Sequence, residues 1–271
     1  MWDPEEYRRF GDERSRAFFD LVARVDAADP AVVADLGCGP GNLTVTLARR
    51  WPGARVHGVD SSAEMISAAR DRLAMSTGPG AGPEPGAGLA RRLSFTVADV
   101  RDWQPARRPD VIVSNAVLQW VPDHLNVLRR WIGLLAPGGW VAVQVPGNFD
   151  QPSHQILREL AGSPRWHPVL ASVRLNRQAA DPADYLDLLA DEGCAADVWE
   201  TTYLHLLHGD DPVLRWYRGT GLRPVLAALT AEQAAEFCAE YGKRLATAYP
   251  SGRHGTVFPF RRIFAVGRRH A

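Results

Sequence analysis

The stretch VVADLGCGPGN, Val32 to Asn42, decides the fold. An apolar, strand-forming run stops at an acid, and glycines follow at 37, 39 and 41 before an apparent helix begins. Strand, glycine turn and helix in that order make a cradle for the adenosine end of a cofactor, because glycine reaches positive φ and lets a ligand approach the backbone closely. A glycine turn without a ligand is the plainer alternative, but three alternating glycines lose much backbone entropy on folding with no evident structural need.

Three ligand chemistries compete for this loop. A P-loop requires GxxxxGK[ST], and no Lys follows these glycines. The dinucleotide fingerprint GxGxxG matches at Gly37 and Gly39, but Asn42 stands where its third glycine belongs. Asp35, two residues before the first glycine, would repel a pyrophosphate and attract a ligand carrying an ammonium and a sulfonium. S-adenosylmethionine has those charges and no phosphate. Asp60 closes the next strand-like run, RVHGVD, where an acid accepts both hydrogens of a ribose diol. Asp99, in VADV, is a third acid after a strand, placed to accept from an exocyclic adenine amine.

Outward from the loop, the first half of the chain alternates strands and helices. Expected strands are Val32–Leu36, Arg55–Asp60, Leu93–Val100, Asp110–Val117 and Trp140–Pro146; expected helices are Leu43–Trp51, Ala63–Ala74 and His124–Leu135. That rhythm means right-handed βαβ units and an open, mostly parallel Rossmann-like sheet, an α/β fold. The Pro/Gly-rich tract Ser76–Ala90 reads as a flexible loop insertion without chemistry. After Gly147 the pattern changes: a capped helix over Asp181–Gly193, a strand over Cys194–Leu207, a long helix over Leu229–Tyr249 opened by Thr230 and Gln233, and a closing antiparallel strand over Phe260–Arg269. The expected organisation is a single domain over 1–271: an N-terminal helical cover (1–30), a cofactor half (31–146), and helical lid inserts at 147–193 and 206–255.

Bulk properties narrow the function classes. With 31 basic and 31 acidic residues the chain is formally neutral, and this gives no support to a nucleic-acid footprint. Every basic residue but Lys243 is arginine, which suits carboxylate forks or simply reflects coding composition. Cys38, Cys194 and Cys238 are scattered and form no CxxC pair, so no metal site is expected. MWDPEEYRRF lacks a signal-like apolar core and no apolar run is long enough to span a bilayer, so the expectation is a cytoplasmic protein without a membrane partner, monomeric or weakly dimeric.

These motifs resemble the class I methyltransferases, and more narrowly the trans-aconitate methyltransferase family. The pieces that carry the resemblance are YRRFGDERSR (7–16), VADLGCGPGN, GVDSSAEMI (58–66), ADVRDWQP (98–105), SNAVLQWVPDH (114–124), VQVPGN (143–148), EGCAADVWETTY (192–203) and TGLRP (220–224). The glycine loop identifies only the superfamily; SNAVLQWVPDH, VWETTY and TGLRP narrow it. The resemblance implies methyl transfer from S-adenosylmethionine to a carboxylate of trans-aconitate, with S-adenosylhomocysteine as product. It implies cofactor contacts at Asp35, Gly37, Cys38, Gly39, Asn42, Asp60, Ser61, Met65, Asp99, Val100 and Asn115. A carboxylate is already ionised at neutral pH, so no general base is required. An arginine clamped on the reacting oxygen would stabilise the ground state more than the transition state, so the reacting carboxylate should face neutral groups and arginines should hold the others. Trp120, Asn115 and Gln119 are the candidates for the neutral wall, with core packing the alternative for Trp120. Tyr7, Arg14, Arg174, Tyr203, Trp216, Arg223 and Arg262 are the candidates for binding a tricarboxylate substrate. Another small-molecule acceptor, such as a quinone or a different acid, is the competing enzyme reading, although an apolar acceptor predicts few arginines in the lid. A cofactor-binding protein without activity would show eroded loop acids, and all three acids are intact.

Overall fold

The computed structural model describes residues 11–75, 86–175 and 179–270, apart from the side chains of 11–14 and 86–87. The elements run α1 (Gly11–Ala23), β1 (Val32–Leu36), α2 (Thr44–Arg50), β2 (Arg55–Asp60), α3 (Ala63–Met75), α4 (Gly86–Arg92), β3 (Leu93–Val97) and β4 (Val111–Asn115). A 3₁₀ turn (Leu118–Trp120) leads to α5 (His124–Leu134), β5 (Trp140–Pro146), α6 (Pro152–Ala161), α7 (His167–Leu170), α8 (Pro182–Asp191) and β6 (Cys194–Leu207). The chain ends with α9 (Pro212–Arg218), α10 (Arg223–Ala228), α11 (Ala231–Ala248), β7 (Ser251–Gly252) and β8 (Gly255–Arg269).

The sheet order is β3-β2-β1-β4-β5-β8-β6, and β1 to β5 all pair in parallel. Arg269 N donates to Gly139 O and Gly147 N donates to Arg261 O, so β8 runs antiparallel to β5. This is the expected open α/β sheet with a closing antiparallel strand. β1 is buried along nearly its whole length, which is why VVADL reads as a continuous apolar run and not an alternating one.

By contacts the chain divides into two compact units. The sheet unit comprises 17–145, 180–200 and 263–271; the insert unit comprises 1–16, 146–179 and 201–262. In the sheet unit the Asp110 carboxylate, just before β4, accepts from Ala31 N (2.8 Å) and Val32 N (2.9 Å) at the start of β1. The guanidinium of Arg92 reaches the carbonyls of Ala48, Trp51 and Ala54 at the end of α2, which satisfies acceptors the helix leaves open. Those bonds anchor α4, so Gly86–Ala90 are helical where a loop was expected; 76–85 lie outside the described residues.

The insert unit has its own core, centred on Trp166, Trp216, Tyr217, Phe237, Tyr241 and Phe258. Within it Ser153 gathers three tyrosines: its Oγ lies 2.7 Å from Tyr217 OH and accepts from Tyr249 OH, while its carbonyl accepts from Tyr241 OH. Helix α11 opens with the expected capping box, Gln233 N to Thr230 Oγ1 (3.2 Å) and Thr230 N to Gln233 Oε1 (3.0 Å). β8 starts at Gly255, earlier than the expected Phe260. Among the described residues no helix is long and apolar enough to cross a membrane.

Replacing Asp110 with Ala strands two backbone donors at the start of β1 and should lower unfolding free energy by about 1–3 kcal/mol in urea titration. Asp110→Asn keeps an acceptor and should cost less.

Candidate active site

The site is built where β1 and β4 leave the sheet. Gly37, Gly39 and Gly41 all adopt positive φ, at 82°, 54° and 73°, so the loop turns back on itself within five residues. Gly37 N and Cys38 N both donate to Val59 O, at 2.7 and 2.9 Å, which ties the loop to β2. A Cβ on Gly37 would lie 2.0 Å from Val117 Cγ2, whereas a Cβ on Gly39 would meet nothing within 4 Å. The two glycines therefore serve different ends: Gly37 permits close packing, and Gly39 presents bare backbone to open space.

Asp35 is buried, and its Oδ2 accepts from Thr44 Oγ1 at 2.6 Å. Burial pushes its carboxyl up to about 6, against the Thr44 hydrogen bond, and the nearby charge of Asp60 adds to the rise. Among the described residues no cation is among the groups that act on it, and a cation beside it would favour its ionised form. The Asp60 carboxylate receives Gly39 N on Oδ2 and Ser62 N on Oδ1, both at 2.9 Å, so it braces the loop while keeping further acceptor capacity. Ser62 in turn caps α3 by accepting from Met65 N at 3.2 Å. Burial pushes the Cys38 thiol up, reinforced by both acids, and leaves it a packing residue without nucleophilic character.

At the end of β4, Asn115 Oδ1 is buried without a hydrogen-bond partner, as is Gln119 Oε1. Between them Ala116 takes φ of 58°, an unfavourable conformation for a residue with a Cβ. It is held by Ala116 N to Gln144 O (2.9 Å) and by Gln119 Nε2 to Ala116 O (2.7 Å). The expected neutral groups are thus present, with two orphaned acceptors suited to a donor such as an ammonium. Trp120 ends the 3₁₀ turn half exposed, at 49%, so it is not a core residue.

Other expected residues fall less neatly. Asp99 is forked by its neighbour Arg101, with Nε 3.0 Å from each oxygen and Nη2 2.6 Å from Oδ2. That pairing holds its carboxyl below the usual range and leaves lone pairs on its oxygens for a further donor. Asn42 and Ser61 are exposed; Thr44 and Ser62 beside them make the contacts. Met65 is half-buried and Val100 buried. Thr44 and Ser62 went unread, although a Ser directly before an apolar-periodic helix is an N-cap signal.

In the insert unit the structure brings together Tyr203, Trp216 and Arg262, all buried, around His205. Arg16 lies 5.0 Å over the Tyr203 ring and Arg262 lies 4.4 Å over the Phe260 ring. Arg174 and Arg223 are exposed and do not belong to this buried group. Tyr7 lies outside the described residues, as does the side chain of Arg14.

The loop, the acids behind β1 and β2, and the strand order define a methyltransferase-type α/β fold, and a family model described as a methyltransferase domain matches residues 7–194. A phosphoethanolamine N-methyltransferase 2 from Haemonchus contortus, solved with S-adenosyl-L-methionine, superposes with a TM-score of 0.55 at 16% identity, over 94% of this chain and 53% of that one. Two proteins named trans-aconitate 2-methyltransferase are far nearer in sequence. That of Streptomyces avermitilis is 55% identical over 100% of this chain and 97% of its own length. That of Streptomyces coelicolor is 54% identical over 99% of this chain and 86% of its own length. The chain belongs to the trans-aconitate 2-methyltransferase family.

Gly37→Ala combines a left-handed φ with a collision against Val117 and should destabilise the fold by about 2–4 kcal/mol in chemical denaturation. Gly39→Ala should cost the fold only about 1 kcal/mol, because its Cβ enters open space, yet should weaken cofactor binding at least tenfold in calorimetry. Equal effects of the two substitutions on stability would contradict this division of labour.

Proposed function

We propose that this chain transfers the methyl group of S-adenosylmethionine to a carboxylate of trans-aconitate, giving a monomethyl ester and S-adenosylhomocysteine. The observation that carries the reading is the buried Asp35 carboxyl, with Thr44 as its hydrogen-bond partner, behind a left-handed glycine loop, in a chain that shares over half its residues with members of this family. S-adenosylmethionine supplies an electrophilic methyl on a sulfonium and an ammonium for the loop acids. Asp35 offers its carboxylate to the cationic portion, Asp60 offers spare lone pairs to a diol, and the bare face of Gly39 allows close approach.

The acceptor brings its own nucleophile. A carboxylate titrates near pH 4, so at neutral pH it needs no base to take its proton. What the protein must supply is alignment of oxygen, methyl and sulfur, which is worth several kcal/mol or more. Attack neutralises opposite charges, so a strong cation on the attacking oxygen would hold back the step. Asn115 and Gln119 carry no charge and so would not hold back the step, and their orphaned oxygens suit a donor of the cofactor and not the carboxylate itself.

Two measurements test the reading. Incubation with labelled S-adenosylmethionine and a panel of di- and tricarboxylic acids should transfer label to trans-aconitate, released as methanol on base hydrolysis; transfer to none of the acids would sink the proposal. Cofactor affinity should also depend on pH. The free protein holds the Asp35 carboxyl up at about 6, so the carboxylate that attracts the cation is present above that pH and lost below it. Affinity measured by calorimetry should weaken about tenfold from pH 7 to pH 5. Asp35→Asn should bind more weakly at pH 7 and lose this dependence.

A further inference from the structure

Among the described residues, three that are not glycine take positive φ: Ala116 at 58°, Asp123 at 54° and Asp211 at 44°. Aspartate tolerates that region because its short polar side chain can hydrogen-bond nearby backbone. Ala116 has no such group, so its conformation has to be imposed by its surroundings. The cause and the consequence both lie within the sheet unit.

β4 pairs with β5 as far as Asn115, opposite Gln144, and Ala116 N extends the pairing by donating to Gln144 O at 2.9 Å. The N–H side of Ala116 therefore still belongs to the sheet. Its carbonyl instead accepts from Gln119 Nε2 at 2.7 Å. The Gln119 amide cannot be reversed there, because its oxygen would then face the Ala116 oxygen with no hydrogen between them. Oε1 is consequently directed elsewhere, and it is buried without a hydrogen-bond partner. An unpartnered buried oxygen is costly, and a methionine would fill the same space without that cost. The donor end is what justifies an amide at this position, and the donor end holds Ala116 O.

The turn at Ala116 decides where Val117 goes. A Cβ added to Gly37 would lie 2.0 Å from Val117 Cγ2 and 2.9 Å from Cγ1, so the valine already occupies the place of the missing methyl. Ser114 Oγ donates to Leu36 O at 2.7 Å, directly before that contact. The end of β4 thus grips the start of the glycine loop at two points, a buried hydroxyl before the turn and the Val117 methyls after it. Close-packed contacts transmit displacement. If Ala116 relaxed out of the left-handed region, Val117 would swing away and Gly37 would lose its support.

We propose that Gln119 is a positioning residue for the cofactor loop: by holding the Ala116 carbonyl it keeps the turn left-handed, seats Val117 on Gly37, and so sets the loop whose bare face is Gly39. The inference rests on the reading of that loop as the S-adenosylmethionine site. It names the side chain that shapes the loop from outside it.

The test measures S-adenosylhomocysteine affinity by calorimetry, with melting temperature alongside, for the wild type, Gln119→Met and Gln119→Glu, each also in an Ala116→Gly background. Gln119→Met should raise the dissociation constant about tenfold or more. Glycine takes positive φ without a clamp, so in the Ala116→Gly background the same substitution should cost about threefold less or better. Gln119→Glu keeps acceptor oxygens for an ammonium but has no N–H for the Ala116 carbonyl, and it should weaken binding as Gln119→Met does. If Gln119→Met does not fold, Gln119→Glu carries the same comparison between backgrounds. Equal losses in the two backgrounds would overturn the inference, because a direct contact alone predicts them. So would a lower melting temperature with unchanged affinity, which is the mark of a packing role, or a Gln119→Glu protein that binds as tightly as the wild type. A wild type that does not bind S-adenosylhomocysteine would instead overturn the cofactor reading on which the inference rests.

Discussion

Between β1 and β4 the strand order reverses, and the connections leaving these neighbouring strands must run in opposite directions. A crevice at their carboxyl ends is the geometric consequence, since neither connection can fill it. Everything assigned to the cofactor lies along that edge. The register β1 to β2 sets Asp35 opposite Gly58, and β2 to β3 sets Asp60 opposite Val97, so successive acids approach the edge as the sheet is crossed. Gly58 leaves room for the Phe95 ring, and the same ring fills the space that a Cβ on Gly41 would need. The loop is thus moulded against the sheet from below and left bare above.

That arrangement is unfavourable for the empty protein at one point. Burying Asp35 with a single hydroxyl partner penalises its ionised form, and the adjacent negative charge of Asp60 makes matters worse. Strain of another kind sits at Ala116, in the left-handed region between two amide side chains with orphaned oxygens. Destabilising features concentrated at one edge of an otherwise well-satisfied sheet are the expected mark of a site shaped for a ligand and not for stability alone.

Much of the fold was legible because its signals are local. VVADL, RVHGVD, WVAVQVP and CAADVWETTYLHLL form strands with the expected ends, each a run of apolar or alternating residues bounded by turn chemistry. β8 begins five residues before the expected Phe260, across Pro259, and a proline argues against a strand interior. Helix α4 was missed because GAGLARR has poor intrinsic helicity; its Arg92 finds three carbonyl acceptors on another segment, a tertiary contact no local window contains. The partners of the three acids differ in the same way: Asp99 is bound by Arg101 two residues along the chain, whereas Asp60 receives Gly39 N from a distant loop, 21 residues away.

The acceptor side was less legible for a physical reason. The glycine loop works through backbone conformation and one or two charges, and such information is contiguous in the chain. Whether a polar side chain is desolvated instead depends on which face of its strand it occupies, and that is settled by packing between distant segments. Exposed Arg174 and Arg223 and buried Arg262 look alike in sequence. His205 looks like one polar residue in an alternating strand, and only packing against the aromatic rings of β6, α9 and β8 buries it. Arginine abundance alone therefore says nothing of which guanidinium is desolvated. Desolvation is the property that separates them, because a buried charge interacts with its neighbours far more strongly than a solvated one does.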